Sequence, residues 1–163
     1  MRETENNPNT LALSPHKLQF VIDELPWLIL CPCGFIYAGM EQVPLSGLVL
    51  SLTVFFSLCL LYRFLYLQRI RYYIGSEQII SEHGIFQRST NYIELFRVVD
   101  FHEHRSLMQQ LIGLKTVTIF SMDRTTPRLE LLGISDKKEV VSLIRERVEY
   151  NKRKKGIYEI TNH

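Results

Sequence analysis

The chain has 163 residues, of which 46% are hydrophobic and 22% are charged, a length that suits one modest domain with a small addition. Residues 1–62 carry two basic and five acidic side chains (net −3), whereas residues 63–163 carry seventeen and twelve (net +5), so the two parts suit different environments. Because the basic residues are interleaved with acidic ones, the sequence argues against nucleic acid as a partner. An odd number of cysteines, three, also argues against a disulfide framework.

Residues 1–24 form an N-terminal segment that we expect to be partly an amphipathic helix. Ser14 and Pro15 have the residue types of a helix N-cap and first turn. Apolar residues then recur at helical spacing, namely Leu18, Val21, Ile22 and Leu25. This pattern predicts a helix that lies along a membrane surface before the chain turns inward.

Two uncharged, apolar runs follow, at residues 25–40 and 42–62. A helix needs roughly 20 apolar residues to cross a bilayer core, and the second run meets that length plainly. We therefore predict a transmembrane hairpin over residues 25–67, with helices at about 25–40 and 44–67 and Pro44 in the first turn of the second. A signal peptide is the alternative for the first run, but a long acid-rich region precedes it and a second run follows at once.

The basic residues beside these runs predict the orientation of the hairpin. Arg63, Arg69 and Arg71 lie at the end of the second run, whereas the connection between the runs has no basic residue. The positive-inside rule then predicts that the C-terminal domain, and with it the N-terminus, lies in the cytosol.

Residues 71–150 have the pattern of a small β domain. β-branched and aromatic residues, alternation of apolar and polar positions, and intervening turn residues predict six strands. The predicted strands are 72–74, 79–83, 85–95, 97–104, 114–120 and 128–132.

The hydrophobic period changes to that of a helix after the last predicted strand. Asp136 and Glu139 have capping-box spacing, and the helix is expected to run to about Asn151. Its apolar residues recur at positions Val140, Ile144 and Val148. One apolar helix face can close the open end of a curved sheet. The predicted fold is therefore α+β: a two-helix transmembrane hairpin, a curved antiparallel sheet or barrel capped by a C-terminal helix, and a basic polar tail at 151–163.

Several short motifs of this domain occur together in a known family. They are Tyr72-Tyr73-Ile74, Gly84-Ile85-Phe86-Gln87-Arg88, Ile93 to Phe101, Leu111 to Val117, and Leu131-Leu132-Gly133-Ile134. In this combination the chain resembles the bacterial pleckstrin-homology-like (PH-like) membrane proteins of the YdbS type, over about residues 15–150. The resemblance implies a PH-like fold on a multi-pass protein of the bacterial cytoplasmic (inner) membrane. Many members carry two or more such domains, and this chain has one. The resemblance implies no single ligand, because fold alone does not assign function.

Two groups of residues have the chemistry of metal ligands. Cys31 and Cys33 flank Pro32 inside the first apolar run, which resembles the Cys-Pro-Cys motif of heavy-metal P-type ATPases, and thiolates suit Cu(I). A kinked helix with two small side chains is the alternative. His102 and His104 share one face of a predicted strand and would need a third ligand, such as His83 on an adjacent strand. The pattern favours a solvated sheet face, and we expect no cofactor.

Basic side chains are the candidate contacts for a lipid or a protein partner. They are Arg88, Arg97, Arg124, Arg128, Lys152, Arg153, Lys154 and Lys155. Near a membrane they would favour anionic headgroups. At the end of a helix, basic residues also suit the helix dipole.

No Ser-His-Asp or Cys-His order and no glycine-rich phosphate loop indicates catalysis. The leading hypothesis is a membrane-anchored, non-enzymatic binding or scaffolding module. It would present a sheet edge, or the loops around Gly84 and 123–127, to a membrane-protein partner. The alternatives are sensing of anionic lipid at the inner leaflet and metal handling through the two cysteines. Small residues also permit homo-oligomerisation through the helices. These are Gly34, Ala38, Ser46 and Gly47.

Overall fold

Two long apolar helices open the computed structural model, which describes residues 10–40, 44–137 and 139–157. Helix α1 is Lys17–Ala38 and helix α2 is Ser46–Arg69. Both are long and apolar enough to cross a membrane, and little of either is buried against the rest of the protein. The predicted connection at Glu41 lies outside the described residues.

Helices α1 and α2 pack side by side in opposite directions. Phe20, early in α1, contacts Phe64, late in α2, with ring centroids 5.1 Å apart. Trp27 stacks on Phe56 at 4.9 Å, further along α1 and further back along α2. This order of contacts is that of the predicted antiparallel hairpin.

Within the residues that the structure describes, seven antiparallel strands form two separate sheets. The first sheet has the order β1-β2-β3-β4 and the second the order β5-β6-β7. The strands are β1 Leu11–Leu13, β2 Arg71–Ile74, β3 Gln78–His83, β4 Ser89–Glu94, β5 Val98–His104, β6 Leu114–Ser121 and β7 Arg128–Ser135. A short helix, α3, covers Leu107–Ile112, and helix α4 covers Val140–Lys154. The α+β fold is confirmed, with two open sheets in place of a closed barrel.

The core lies between the two sheets and is closed by α4. It is built from fully buried aliphatic side chains that alternate along the strands and recur at helical spacing along α4. They include Ile74, Ile79, Ile93, Val117, Ile119, Leu131, Val140 and Ile144. The predicted apolar face of the C-terminal helix is therefore the face that contacts the core.

Strand β1 was not predicted, and it belongs to the β domain. Within the segment expected to be partly an amphipathic helix, Leu11–Leu13 pair with Ile74–Tyr72 of β2, and the helix occupies the part from Lys17 onward. Helix α1 begins at Lys17 with His16 as N-cap, so Ser14 is not the cap. The hairpin is therefore inserted between the first two strands of the sheet.

Three further local predictions were wrong. Pro44 precedes α2, whose N-cap is Leu45, so it is not in the first helical turn. Residues 85–88 form a loop rather than a strand, because β4 begins at Ser89. Asp136 does not cap α4: its carboxylate pairs with Arg105 at 2.8 Å, and the N-cap position, Glu139, makes no side-chain capping bond.

Candidate partner-binding groove

Strand β5 forms an open edge of the second sheet. Within the described residues its one strand neighbour is β6. The ladder is irregular between Val98 and Asp100, and bulges of this kind are common at sheet edges. The Phe101 N–H donates to the Asp100 carboxylate at 2.7 Å. This backbone donor at the bulge is therefore satisfied by the side chain of the preceding residue.

Helix α4 runs beside this edge and encloses a groove of about 320 Å³. The wall that α4 contributes is a stripe of side chains three and four residues apart, which share one face of the helix. The groove is lined by Val98, Val99, Asp100, Phe101, Arg145, Val148, Glu149, Lys152, Arg153 and Ile157. Val99 and Ile157 are 53% and 41% exposed, so the groove presents apolar surface to solvent. Because apolar and charged side chains alternate around it, the groove suits a peptide with both.

The charge of the groove is slightly positive. Three basic side chains, Arg145, Lys152 and Arg153, stand against two acidic ones, Asp100 and Glu149. Arg153 pairs with Glu149 one helical turn away, at 3.6 Å. Lys152 and Arg153 are the two predicted contact residues that the structure places in this groove.

Side chains of α4 fix this helix on the turn between β2 and β3. Arg147 donates from Nη1 to the carbonyls of Ile74 and Gly75, at 2.7 and 2.8 Å. The Asn151 side-chain amide donates to the Ser76 carbonyl at 2.6 Å, and Asn151 is buried. These hydrogen bonds, which from Arg147 are charge-assisted, anchor the helix that forms the groove wall.

The C-terminal end of α4 lies far from the end of the domain that α2 enters. Lys154 pairs with Glu77, at the β2–β3 turn, at 2.8 Å. This hydrogen bond lowers the pKa of Glu77 and raises that of Lys154. Strand β3 leads from this turn back to His83 beside α2, and its six residues span roughly 20 Å. Lys155 lies over the Phe96 ring, 3.6 Å from its centroid.

The remaining predicted basic residues are scattered. Arg97 pairs with Glu94 at 3.0 Å and lies 4.0 Å from Asp123, whose pKa is lowered chiefly by hydrogen bonds from Thr125. Arg128 pairs with Glu130 on the face of the second sheet that lies towards α1, where both residues line a cavity with Ile22 and Asp23. Arg88 and Arg124 are exposed in two different loops. The eight residues therefore do not form one site.

The two sets of metal-ligand candidates do not converge. Cys31 is buried and Cys33 is exposed, as expected for residues two apart on a helix. His83 lies in the first sheet, against the Tyr66 ring, whereas His102 and His104 lie in the second. In the part of the chain that the structure describes, no three histidine, cysteine or carboxylate side chains are grouped as a metal site.

A chain of hydrogen bonds joins the base of α1 to the second sheet. The buried Gln109 amide donates to Gln19 of α1 and to Thr116 of β6, each at 2.9 Å. Gln19 in turn donates to Asp23 at 2.8 Å. These hydrogen bonds connect the domain to the base of α1, a contact that no periodicity in the sequence signals.

One comparison with known proteins identifies the family. The family model described as Bacterial PH domain matches residues 22–148, which is most of the chain. The chain therefore belongs to the bacterial PH domain family, and the predicted resemblance is confirmed. PH-like domains are generally non-catalytic binding modules. No curated protein and no solved structure matches the chain.

Proposed function

We propose that this protein is a non-enzymatic binding module anchored in the bacterial cytoplasmic membrane, with both termini in the cytosol. Helices α1 and α2 have the length and hydropathy to span a bilayer, and most of their surface is open to lipid. Arg63, Arg69 and Arg71 at the domain end of α2 support a cytosolic domain.

The ligand of the domain, on this proposal, is an extended segment of a membrane-protein partner. The segment adds a strand to β5 and lies in the groove against α4. The observation that carries this proposal is the open β5 edge beside a fixed helical wall, because an exposed edge supplies backbone hydrogen bonds and the groove supplies side-chain specificity. An apolar side chain of the segment would contact Val99 and Ile157, and an acidic one would face Lys152 and Arg153.

A protein ligand fits the position of this groove better than a lipid ligand does. The basic cluster at the end of α4 lies by the β2–β3 turn, roughly 20 Å along β3 from the α2 junction. That distance exceeds the screening length of about 8 Å at physiological salt, so attraction to anionic headgroups would be weak there. Of the predicted basic residues, Arg88 lies at the opposite end of the first sheet, in the loop beside α2.

The test is affinity purification from native membranes in mild detergent, with mass spectrometry of proteins and lipids. Val99→Lys places a charge on the exposed β5 edge, and we expect it to abolish recovery of a stoichiometric partner. Tyr92→Lys is the matched control: Tyr92 is 47% exposed on β4, the outer strand of the other sheet. If the Val99→Lys protein recovers the partner as well as the wild type does, the β5–α4 groove is not the binding site. If anionic lipid is enriched and no protein is recovered, the proposal that the ligand is a protein segment is wrong.

A further inference from the structure

The loop between β3 and β4 projects an aromatic side chain away from the domain. Phe86 is 91% exposed, the highest exposure among the large hydrophobic side chains of the described residues. Gly84 begins the loop with φ +111°, and a Cβ there would overlap the Gln87 carbonyl oxygen. The tight turn at Gly84 therefore contributes to the exposed position of Phe86.

This loop lies along the side of α2. The Phe86 ring stacks on Tyr62, with centroids 6.4 Å apart and planes 14° apart. One helical turn nearer the domain, His83 meets the Tyr66 ring edge-on at 6.5 Å. The chain therefore leaves β3 and runs back along α2, in the direction of its apolar body.

Two features place Tyr62 at the level of a membrane–water boundary. Tyr62 follows Ser46 by 16 residues, or roughly 24 Å of helix, which covers most of a hydrocarbon core of roughly 30 Å and brings Tyr62 near its far side. Arg63, the next residue, pairs with Glu24 of α1. Charged side chains are costly inside the hydrocarbon core, so this pair belongs at its edge.

We propose that the Gly84–Arg88 loop is a second membrane contact of this protein, a wedge that enters the interfacial layer beside α2. Phe86 buries its ring at the boundary between the headgroups and the acyl chains, where interfacial segments bury Phe, Trp and Leu side chains. Arg88, exposed at the end of the loop, binds the phosphates of neighbouring lipids. This inference rests on the proposed membrane anchoring by α1 and α2. It gives the domain two points of attachment, so that the β5–α4 groove faces the cytosol.

The single tryptophan of the chain, Trp27, makes a direct test possible. Three single-tryptophan proteins are reconstituted into phosphatidylcholine–phosphatidylglycerol vesicles that contain lipids brominated on the acyl chains. The wild type reports on α1. Trp27→Phe with Phe86→Trp reports on the loop. Trp27→Phe with Tyr150→Trp is the matched control, because Tyr150 is 66% exposed on α4 next to Asn151, which contacts the distal β2–β3 turn.

We expect brominated lipid to quench the emission of the wild type and of the Phe86→Trp protein, and acrylamide in the water phase to quench the Tyr150→Trp protein. A loop tryptophan that is open to acrylamide and untouched by bromine, while Trp27 is quenched, would overturn the wedge and leave the anchoring intact. Loss of quenching at Trp27 as well would overturn both. A loop tryptophan protected from both quenchers would mean that protein covers it, which also overturns the wedge.

Discussion

Leu13, which precedes both apolar helices, pairs with Tyr72, which follows them, in one antiparallel ladder. The first strand of the PH-like domain is thus separated from the second by the whole helical hairpin. Both ends of the hairpin lead into neighbouring strands of the same sheet. The family match begins at residue 22, after this strand.

Removing the Leu13 side chain should destabilise the β domain. Leu13 is 5% exposed and belongs to the main core. We expect Leu13→Ala to lower the free energy of unfolding by about 2–4 kcal/mol, the usual cost for a buried leucine. Thermal unfolding in detergent and hydrogen exchange at Tyr72–Ile74 would measure the loss. Ala12→Ser, on the exposed face of the same strand, should have little effect; equal stability of Leu13→Ala would mean that β1 does not support the core.

The sequence predicts the strands and helices that have a clear local pattern. Strand β6 alternates polar and apolar residues over 116–119, and α4 has aliphatic residues at helical spacing, so the sequence predicts both within a few residues of their bounds. Strand β1 has three residues, too few for any period, and its partner lies sixty positions away. The prediction that Asp136 caps α4 is wrong because the carboxylate of Asp136 pairs with Arg105 and Lys115, which lie in other parts of the fold.

The candidate groove could not be derived from the sequence for the same reason. Its walls, β5 and α4, are separated along the chain by a short helix and two strands, and only packing brings Val99 beside the α4 stripe. Composition identifies Lys152 and Arg153 as basic residues near the end of a helix, but it cannot distinguish them from Lys154, which pairs with Glu77. Charge patterns give residue types, whereas a site requires tertiary neighbours.

The absence of a side chain at Gly34 should be required for the close packing of α1 against α2. A Cβ at position 34 would overlap the Thr53 hydroxyl and lie 3.2 Å from its Cγ2. We expect Gly34→Ala to cost about 1–3 kcal/mol through overpacking, measured as a lower unfolding midpoint in detergent. Gly47→Ala is the control, because a Cβ there meets nothing within 4 Å. Adding Thr53→Ala to Gly34→Ala should restore part of the lost stability. If the unfolding midpoint does not rise, overlap with Thr53 is not the cause of the destabilisation.

The Glu103–Lys115 pair should make the second sheet sensitive to acid. Lys115 is buried and donates to Glu103 at 3.0 Å, which holds the pKa of Glu103 below its ordinary value of 4.5. The folded state therefore binds this proton less readily than the unfolded chain. The stabilisation is complete above pH 4.5 and is lost as the pH falls through the lowered pKa.

Glu103→Gln should therefore cost roughly 1 kcal/mol at neutral pH, a value that allows for the partial exposure of Glu103. The difference from the wild type should shrink as denaturation is repeated at decreasing pH between 6 and 3, about the range of carboxyl titration. Glu94→Gln, which breaks an exposed pair with Arg97, is the control and should change little. A constant difference across this range would mean that Glu103 contributes by packing and not by charge.

Tyr72 should be the side chain that limits stability at high pH. This side chain is 2% exposed, and its burial raises the pKa of its hydroxyl to about 12 from an ordinary value of 10.0. The hydroxyl oxygen also accepts a hydrogen bond from the Leu132 N–H at 3.3 Å, which lowers the pKa and so offsets only part of the rise. The folded state holds this proton more tightly than the unfolded chain does. Its stabilising effect is therefore complete below pH 10 and is lost between pH 10 and 12, by about 3 kcal/mol in total.

Absorbance at the phenolate wavelength, followed together with far-ultraviolet circular dichroism, would measure this effect. We expect the wild type to show a tyrosine component that ionises near pH 12, together with the unfolding of the sheet. Tyr72→Phe should lack that component and should cost about 1 kcal/mol at neutral pH, because the Leu132 N–H loses its acceptor. Tyr150→Phe, at an exposed position of α4, should leave both the component and the stability unchanged. Persistence of the late component in Tyr72→Phe would assign it to another tyrosine and remove the basis for this alkaline limit.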